Sequence, residues 1–211
     1  MNTLTLEKHC WAEIDLTALR ENYEYIRRTV GGPVCAVVKA DAYGHGDNVI
    51  ARVLQEAAGF AVSSLGEGRH LRRGGITTPI LILGYADPTY AAVLAANDLT
   101  TTCYSTEYAQ ALSAAAVKAG VQAKVHLKID TGLHRLGIPW DDTEGLVAPF
   151  ACRNLRITGV FTHLSDAEAL DGASQGRTAE QLRRLQSAVD GLRRAGFDPG
   201  AVHWQGGYGL L

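Results

Sequence analysis

The fold is indicated most clearly by residues 34–50, VCAVVKADAYGHGDNVI. The segment starts with a run of apolar residues, continues through a turn that contains two glycines, and ends in a stretch with helical spacing. A strand that leads through a short turn into a helix is the repeating unit of parallel α/β proteins. The unbroken apolar character of VCAVV predicts a strand that is covered on both faces of its sheet.

The same alternation continues along the chain. Apolar periodicity predicts a first helix after Asp15, a second after Asp47 and a last one from Thr178, which has capping-box spacing to Gln181. Shorter helices are predicted near residues 66–73, 88–96, 106–119 and 143–152. Seven short strands are predicted between the helices: Val34–Lys39, Phe60–Ser63, Ile80–Leu83, Leu99–Cys103, Lys124–Asp130, Ile157–His163 and Val202–Gln205.

Seven strand–helix units leave two architectures open, a doubly wound open sheet and a (β/α)8 TIM-type barrel. The strand count favours the barrel, which typically needs about 250 residues, whereas this chain has 211. We therefore expect an α/β barrel truncated after its seventh strand and formed by residues 16–211. Residues 1–15 contain a further strand-like run, His9–Ile14, which has no place in the barrel.

The composition excludes several classes of protein. With 46% hydrophobic and 20% charged residues the chain is typical of a soluble globular protein, and its net charge of −2 would not attract nucleic acid. No apolar stretch is long enough to span a bilayer, and the four cysteines lack C-x-x-C spacing. We expect a reduced cytoplasmic protein with no membrane segment and no nucleic-acid partner. The histidine and cysteine spacings predict no metal site.

Polar residues at the ends of the predicted strands are the candidates for chemistry, because active sites of parallel barrels lie there. Lys39 ends the first strand, Lys128 and Asp130 end the fifth, and His163 ends the sixth. Side chains alternate along a strand, so His163 is expected to share its face with Ile157. These polar side chains would meet at one mouth if their faces point inward.

A desolvated lysine at a strand end has a lowered pKa and can act as a Schiff-base nucleophile. Lys39 fits this role, and the alternative is a lysine whose ammonium group extends into solvent. The turn that follows could offer N–H groups and the Tyr43 hydroxyl to a phosphate. A dinucleotide fingerprint that starts at Gly44, with Glu67 on a ribose, is disfavoured because its third glycine position holds Val49.

A second glycine-containing turn, DTGLHRLG at residues 130–137, follows the fifth strand. It places Arg135 near the same edge of the sheet. Arginine can bind a carboxylate through two hydrogen bonds or hold a phenolate oxygen. The alternative is an arginine in a solvated loop.

Three segments, VVKADAYGHG, KIDTGLHRLG and GVFTHL, resemble in order and spacing the pyridoxal-phosphate barrel domain of the alanine racemase family. The resemblance extends from WAEIDLTALRENY near the start to HWQGGYG near the end. The stretches HLKIDTGLHRLGI and FTHLSDAEALDG are also similar to the racemase domain of the membrane-linked alanine/serine racemases of vancomycin resistance.

The resemblance implies a role for each candidate residue. Lys39 would bind pyridoxal 5'-phosphate as a Schiff base and would also be one of two catalytic bases. Tyr43 would contact the cofactor phosphate, and Arg135 would contact the phenolate oxygen and the substrate carboxylate. His163 would belong to the catalytic network around the cofactor ring. Lys128 matches a lysine that is often carbamylated in the family, where the resulting anion orients the arginine.

The resemblance also implies interconversion of L- and D-alanine by two-base proton transfer, in D-alanine supply for the cell wall. The second base would be a tyrosine on a C-terminal β-domain, reaching the partner subunit of a homodimer. That domain is expected to be missing here, together with the partner strand for His9–Ile14. The incomplete chain would then be inactive or weakly active. Two alternatives stay open, a serine racemase of the vancomycin-resistance type and a non-catalytic single-domain pyridoxal-phosphate-binding protein.

One departure from the family pattern concerns the phosphate. The seventh strand ends in Gln205, Gly206 and Gly207, where the family usually has Asn-Ser. Without the serine hydroxyl, the backbone N–H of Gly207 is the contact that this segment is expected to give the phosphate.

Overall fold

The computed structural model describes residues 11–167 and 171–205. Strands and helices alternate through both stretches. The strands are β1 (Cys35–Val37), β2 (Gly59–Val62), β3 (Ile80–Ile82), β4 (Leu99–Cys103), β5 (Ala123–Asp130), β6 (Ile138–Pro139), β7 (Leu155–His163) and β8 (Ala201–Gln205). The helices are α1 (Leu16–Val30), α2 (Lys39–Gly44), α3 (Asp47–Val53), α4 (Leu65–Arg73), α5 (Ala91–Ala96), α6 (Thr106–Ala119), α7 (Thr143–Val147) and α8 (Gly172–Arg194), and short 3-10 turns cover Pro88–Tyr90 and Ala148–Ala151.

Seven of the strands form one parallel sheet in the order β1-β2-β3-β4-β5-β7-β8, and the short β6 pairs with β5 outside this path. Residues of β1 and β8 line the same cavity as residues of β3 and β4, so the sheet curls around an interior. Parallel strands joined by helices in this order form a TIM-type half-barrel. The predicted barrel-type α/β class is confirmed.

The helix-facing side of the sheet carries the hydrophobic core. Phe60, Ile80 and Leu99 from three neighbouring strands are each at most 1% exposed, and helix residues such as Leu71 and Leu112 pack against them. The continuous apolar runs predicted as doubly covered strands therefore lie under helices on this face. None of the helices in the described part of the chain is long and apolar enough to cross a membrane.

The first helix begins where the sequence predicted. The Asp15 carboxylate accepts hydrogen bonds from the backbone N–H groups of Thr17 (2.9 Å) and Ala18 (3.0 Å), so it caps the free donors of the first turn. Residues 11–14 before this cap have no regular secondary structure. The rest of the predicted N-terminal strand, His9 and Cys10, lies outside the described residues.

The start of the last helix differs from the prediction. Helix α8 begins at Gly172, with Asp171 as its cap, so Thr178 lies inside the helix. Gln181 is buried instead of closing a capping box, because its side-chain amide bonds to Ser165 and Thr131. The expectation of a capping box there was wrong.

The predicted face of Ile157 was also wrong. The register between β5 and β7 shifts by one residue after Val125, so Val125 pairs with Ile157 and His126 pairs with Gly159. This bulge turns Ile157 to the helix-facing core, whereas residues 159–163 keep the expected alternation.

Candidate active site

Lys39 lies two residues beyond the end of β1, as the first residue of α2. Its turn has an unusual backbone, because residues 40–43 all have positive φ values, from 51° to 57°. This run is left-handed, and it brings the ring of Tyr43 to 5.9 Å from the Lys39 Nζ. The sequence predicted a glycine-containing turn here but gave no signal for left-handed residues that carry side chains.

A cavity of about 670 Å³ lies inside the curled sheet, within the size range of small-molecule sites. Lys39, Tyr43 and His163 contribute to its wall, together with apolar residues of β1 and β3. The structure therefore brings three of the predicted site residues to one cavity. Arg135 and Lys128 are not among the described residues that line it. Gly207 lies outside the described residues.

Lys128 lies on β5 and is 4% exposed. Its Nζ lies 5.2 Å from the centre of the Phe161 ring. Burial and, to a smaller extent, the charge of Arg135 lower the pKa of the Lys128 ammonium, Asp130 opposes this change, and the net pKa is about 8. Lys128 is thus a buried amine that can lose its proton in mildly basic solution.

Arg135 is exposed in the turn between β5 and β6. The turn is fixed by Asp130, whose Oδ1 accepts hydrogen bonds from the N–H groups of Gly132 (2.9 Å) and His134 (3.1 Å). Partial burial would raise the pKa of the Asp130 carboxyl, but these hydrogen bonds hold it below its ordinary value. Asp130 therefore stays ionised and keeps the Arg135 turn in shape.

His163 is the last residue of β7. Its carbonyl accepts a hydrogen bond from the Gln181 amide (3.4 Å), and the same amide donates to the Thr131 hydroxyl (3.3 Å). The Gln181 carbonyl oxygen accepts from both the N–H and the hydroxyl of Ser165. Gln181 thus ties the end of β7 to the start of the Arg135 turn, a role that sequence spacing did not reveal.

Two histidines that sequence analysis left unassigned meet at the cavity. His126 Nδ1 and His203 Nε2 are 3.0 Å apart, and the Phe161 ring stacks on His203 at 5.0 Å. Burial lowers the pKa of His126 to about 3, helped by the nearby His203, and lowers the pKa of His203 to about 4. Both rings are therefore neutral near pH 7, and one donates its ring N–H to the other.

Gly159 makes room for this pair. A Cβ at position 159 would lie 2.7 Å from the His126 Nε2 and 2.8 Å from the Ala201 carbonyl oxygen. Only glycine lets the His126 ring lie against β7 at this distance. The sequence contained one indication that His126 belongs with the site residues. It lies two residues before Lys128, so the two side chains share a strand face.

Glu67 was considered for a ribose in the sequence analysis, and the contacts that it makes in the structure were not predicted. Its carboxylate accepts hydrogen bonds from the N–H groups of Ala40 (3.0 Å) and Ser63 (2.7 Å). It therefore links the turn that follows Lys39 to the turn that follows β2. The ribose interpretation is not supported by this geometry, because the carboxylate is engaged by the protein backbone.

Together the fold and the site define a TIM-type α/β domain with a strand-end lysine, a tyrosine and a histidine around one cavity. The profile of "Alanine racemase, N-terminal domain" matches residues 14–211. The chain belongs to this family.

Individual relatives agree with the family match. The chain is 40% identical over 197 residues to an alanine racemase of Geobacter sulfurreducens, covering 91% of this chain and 52% of that protein. It is 35% identical to an amino-acid racemase of Enterococcus faecalis, covering 95% of this chain and 28% of that protein. The solved alanine racemase of Clostridium difficile superposes with a TM-score of 0.90 at 32% identity, covering 98% of this chain and 57% of that one. The chain spans about half the length of the alanine racemases it matches.

Proposed function

We propose that this chain is the pyridoxal-phosphate-binding domain of an amino-acid racemase that interconverts L- and D-alanine. The observation that carries the proposal is the meeting of Lys39, Tyr43 and His163 at one cavity of about 670 Å³, in a chain of the alanine racemase family. An amine, a phenol hydroxyl and an imidazole around a partly apolar space suit a flat, anionic aromatic ring.

Each residue has a part in the proposal. Lys39 would hold the cofactor covalently and would take or return the proton at the substrate α-carbon. Tyr43 and the Gly207 N–H would bind the phosphate. Arg135 would bind the phenolate oxygen and the substrate carboxylate, and His163 would orient groups around the ring. Pyridoxal phosphate, when bound, supplies an electron sink that makes the α-proton of an amino acid removable.

Lys128 has a role in the proposal because its amine can form a carbamate. Its buried amine has a pKa of about 8, so a useful fraction is neutral at mildly basic pH. A neutral amine can add to carbon dioxide and release one proton, which leaves a carbamate anion. We propose that such an anion would attract and orient Arg135, whose charge already contributes to the lowered pKa of Lys128.

Racemisation requires a second base on the opposite face of the substrate. The related alanine racemases are about twice as long as this chain, and we place the second base in the part of such a protein that this chain does not cover. The residues before 16 would pair with that part, and the assembled enzyme would be a homodimer that supplies D-alanine to the cell wall from the cytoplasm.

The cofactor site is tested by trapping. The purified chain is mixed with pyridoxal phosphate, reduced with borohydride, digested and mapped by mass spectrometry. We expect the label on the Lys39 peptide, loss of that label in Lys39→Ala, and an unchanged Lys39 label in Lys124→Ala, a matched surface variant. A folded chain that carries no label, or that is labelled equally on several lysines, contradicts the proposal.

The substrate is tested on a longer protein that includes this chain. Exchange of the α-hydrogen in deuterated water and the appearance of the opposite enantiomer are followed with alanine and with serine. Faster turnover of alanine supports the proposed substrate. Faster turnover of serine would instead assign the serine-racemase alternative.

A further inference from the structure

The end of β1 is joined to the end of β2 by one carboxylate. Beyond the last β1–β2 pairs, the Val38 N–H still donates to the Ala61 carbonyl (2.9 Å). The next donor on the same side, the N–H of Ala40, finds no strand carbonyl and donates to Glu67 Oε1 instead (3.0 Å). The second oxygen of Glu67 accepts from the Ser63 N–H (2.7 Å) and the Ser63 hydroxyl (3.0 Å). Glu67 thus continues the strand ladder by one step with a side chain.

The turn fixed by this carboxylate is strained. Residues 40–43 have left-handed backbone angles although each carries a Cβ, a conformation that persists only where the surroundings hold it. From within the turn, the Asp41 carboxylate accepts from the Asp47 N–H (2.8 Å) and the Asp41 carbonyl accepts from the Gly46 N–H (2.9 Å). Glu67 supplies the contact at the Lys39 end, at the residue directly after the lysine.

The position of Glu67 is itself well fixed. It lies in the first turn of α4, where its N–H bonds to the hydroxyl of the cap residue Ser64. Partial burial would raise the pKa of the Glu67 carboxyl, but the hydrogen bonds from Ser63 and Ala40 hold it below its ordinary value. An ionised acceptor with two oxygens satisfies both backbone donors at once.

We infer that Glu67 is a positioning residue that holds Lys39 in the orientation needed for cofactor attachment, by bonding the Ala40 N–H and fixing the left-handed turn. The inference rests on the proposed function of Lys39. Glu67 itself does not touch the cofactor or the substrate in this assignment.

The test compares Glu67→Gln with the chain of unchanged sequence. The glutamine has the same size, but its one carbonyl oxygen can serve Ala40 or Ser63, and its NH2 group faces the other donor. We expect the rate of borohydride-trapped labelling of Lys39 by pyridoxal phosphate to fall about tenfold, as loss of one charge-assisted hydrogen bond implies. We also expect faster hydrogen exchange in the peptide that covers residues 38–46.

A variant on the same helix controls for a general loss of stability. The Arg72 guanidinium bonds to the carbonyls of Ile76, Thr78, Asn97 and Asp98, away from the Lys39 turn. Arg72→Lys should lower the melting temperature and leave the Lys39 labelling rate within about twofold of the original, well inside the tenfold change set by one hydrogen bond. Ser63→Ala removes a hydroxyl contact but keeps the N–H contact, so its labelling rate should also stay close to the original.

The outcomes separate the inference from the proposed function. Slow labelling in Glu67→Gln, with normal labelling in Arg72→Lys, supports the positioning role. Equal labelling rates in Glu67→Gln and the original chain overturn it, as does an Arg72→Lys variant that slows labelling as much. If the original chain carries no label on Lys39, the proposed function fails and the inference fails with it.

Discussion

The turns that carry Lys39 and Arg135 both follow a parallel strand, but they reach positive φ values in different ways. After β1, four residues with side chains adopt left-handed angles, from Ala40 to Tyr43. After β5, glycine takes the extreme positions, Gly132 at φ 138° and Gly137 at φ 135°, and one residue with a side chain, His134, is left-handed at φ 56°. A left-handed angle costs a residue with a Cβ about 1–2 kcal/mol. Backbone strain is therefore greater beside Lys39, where four residues with side chains are left-handed, than beside Arg135, where one is.

The residues that hold the two turns also lie at different separations along the sequence. Asp130 bonds to N–H groups two and four residues later in its own turn. The Lys39 turn depends on Glu67, which is 27 residues from Ala40 in the sequence. The comparison teaches that the less strained turn is held largely by its own aspartate, whereas the more strained turn at the cavity also needs a carboxylate from beyond a neighbouring strand end.

The largest expected effect is at Gly137. An alanine there would place its Cβ 2.7 Å from the Asp130 nitrogen and 3.0 Å from the Lys128 carbonyl oxygen, at a φ of 135° that side chains rarely adopt. Gly137→Ala is expected to lower the free energy of unfolding by about 3 kcal/mol or more. Urea denaturation of the two proteins measures the difference.

Gly132→Ala is the matched control for that variant. It has a similar φ of 138°, but its Cβ would meet the movable Arg184 side chain at 3.2 Å instead of backbone. The loss should be smaller, about 1–2 kcal/mol. Equal losses at the two positions would show that close backbone approach has no part in the Arg135 turn.

A smaller effect is expected at Asp130. Asp130→Ala leaves the Gly132 and His134 N–H groups without their protein acceptor, which should cost about 2 kcal/mol. Asp130→Asn keeps an oxygen that can accept both hydrogen bonds, so its cost should stay below about 1 kcal/mol. Thermal unfolding of both variants checks the claim that the side chain of Asp130 holds the turn. A larger loss of stability in Asp130→Asn would mean that the charge of the Asp130 side chain contributes more to the turn than its two hydrogen bonds.

What the sequence predicted, and what it missed, follows the same division between local and distant contacts. Most strand and helix positions, the Asp15 cap and the strand-end location of His163 depend on patterns within a few residues, and the structure confirms them. The bond from Glu67 to Ala40 and the pair of His126 with His203, 77 residues apart, depend on strand order.

Two errors concern single residues whose spacing was misleading. Gln181 has the spacing of a capping residue, but helix α8 continues six residues before Thr178, and the buried amide serves the ends of two strands. Ile157 lies six residues before His163, so simple alternation predicts that the two side chains share a face. A bulge opposite His126 turns Ile157 to the other face. The bulge has no signal in the local pattern of residues, whereas the earlier helix start has one in Asp171, a residue type that often caps helices.

The strain in the Lys39 turn can be measured by relieving it. Ala40→Gly removes the Cβ at φ 52°, and we expect the chain to become more stable by about 0.5–1 kcal/mol despite the added freedom of the unfolded chain. In the regular helix α6, the matched change Ala114→Gly should destabilise by about 1 kcal/mol. Opposite signs confirm the comparison, and destabilisation by both would show that residue 40 is not strained.

The smallest effect needs no substitution and comes from acid titration of the two carboxylates. Hydrogen bonds lower the pKa of Glu67 below its ordinary 4.5 and that of Asp130 below its ordinary 3.8, in both cases against the effect of partial burial. Because the folded-state pKa is depressed, each contribution to stability is complete above the unfolded pKa and is lost as the pH falls through the folded pKa.

Backbone amide shifts recorded by NMR should report the two events separately. The Ala40 amide should titrate with Glu67, with a midpoint below 4.5, and the amides of Gly132 and His134 should titrate together with Asp130, below 3.8. Asp130→Asn should abolish the second titration and leave the first unchanged, because one carboxylate acts within its own turn and the other acts between two strand ends. An Ala40 amide that follows Asp130, or that does not titrate in acid, would contradict separate support of the two turns.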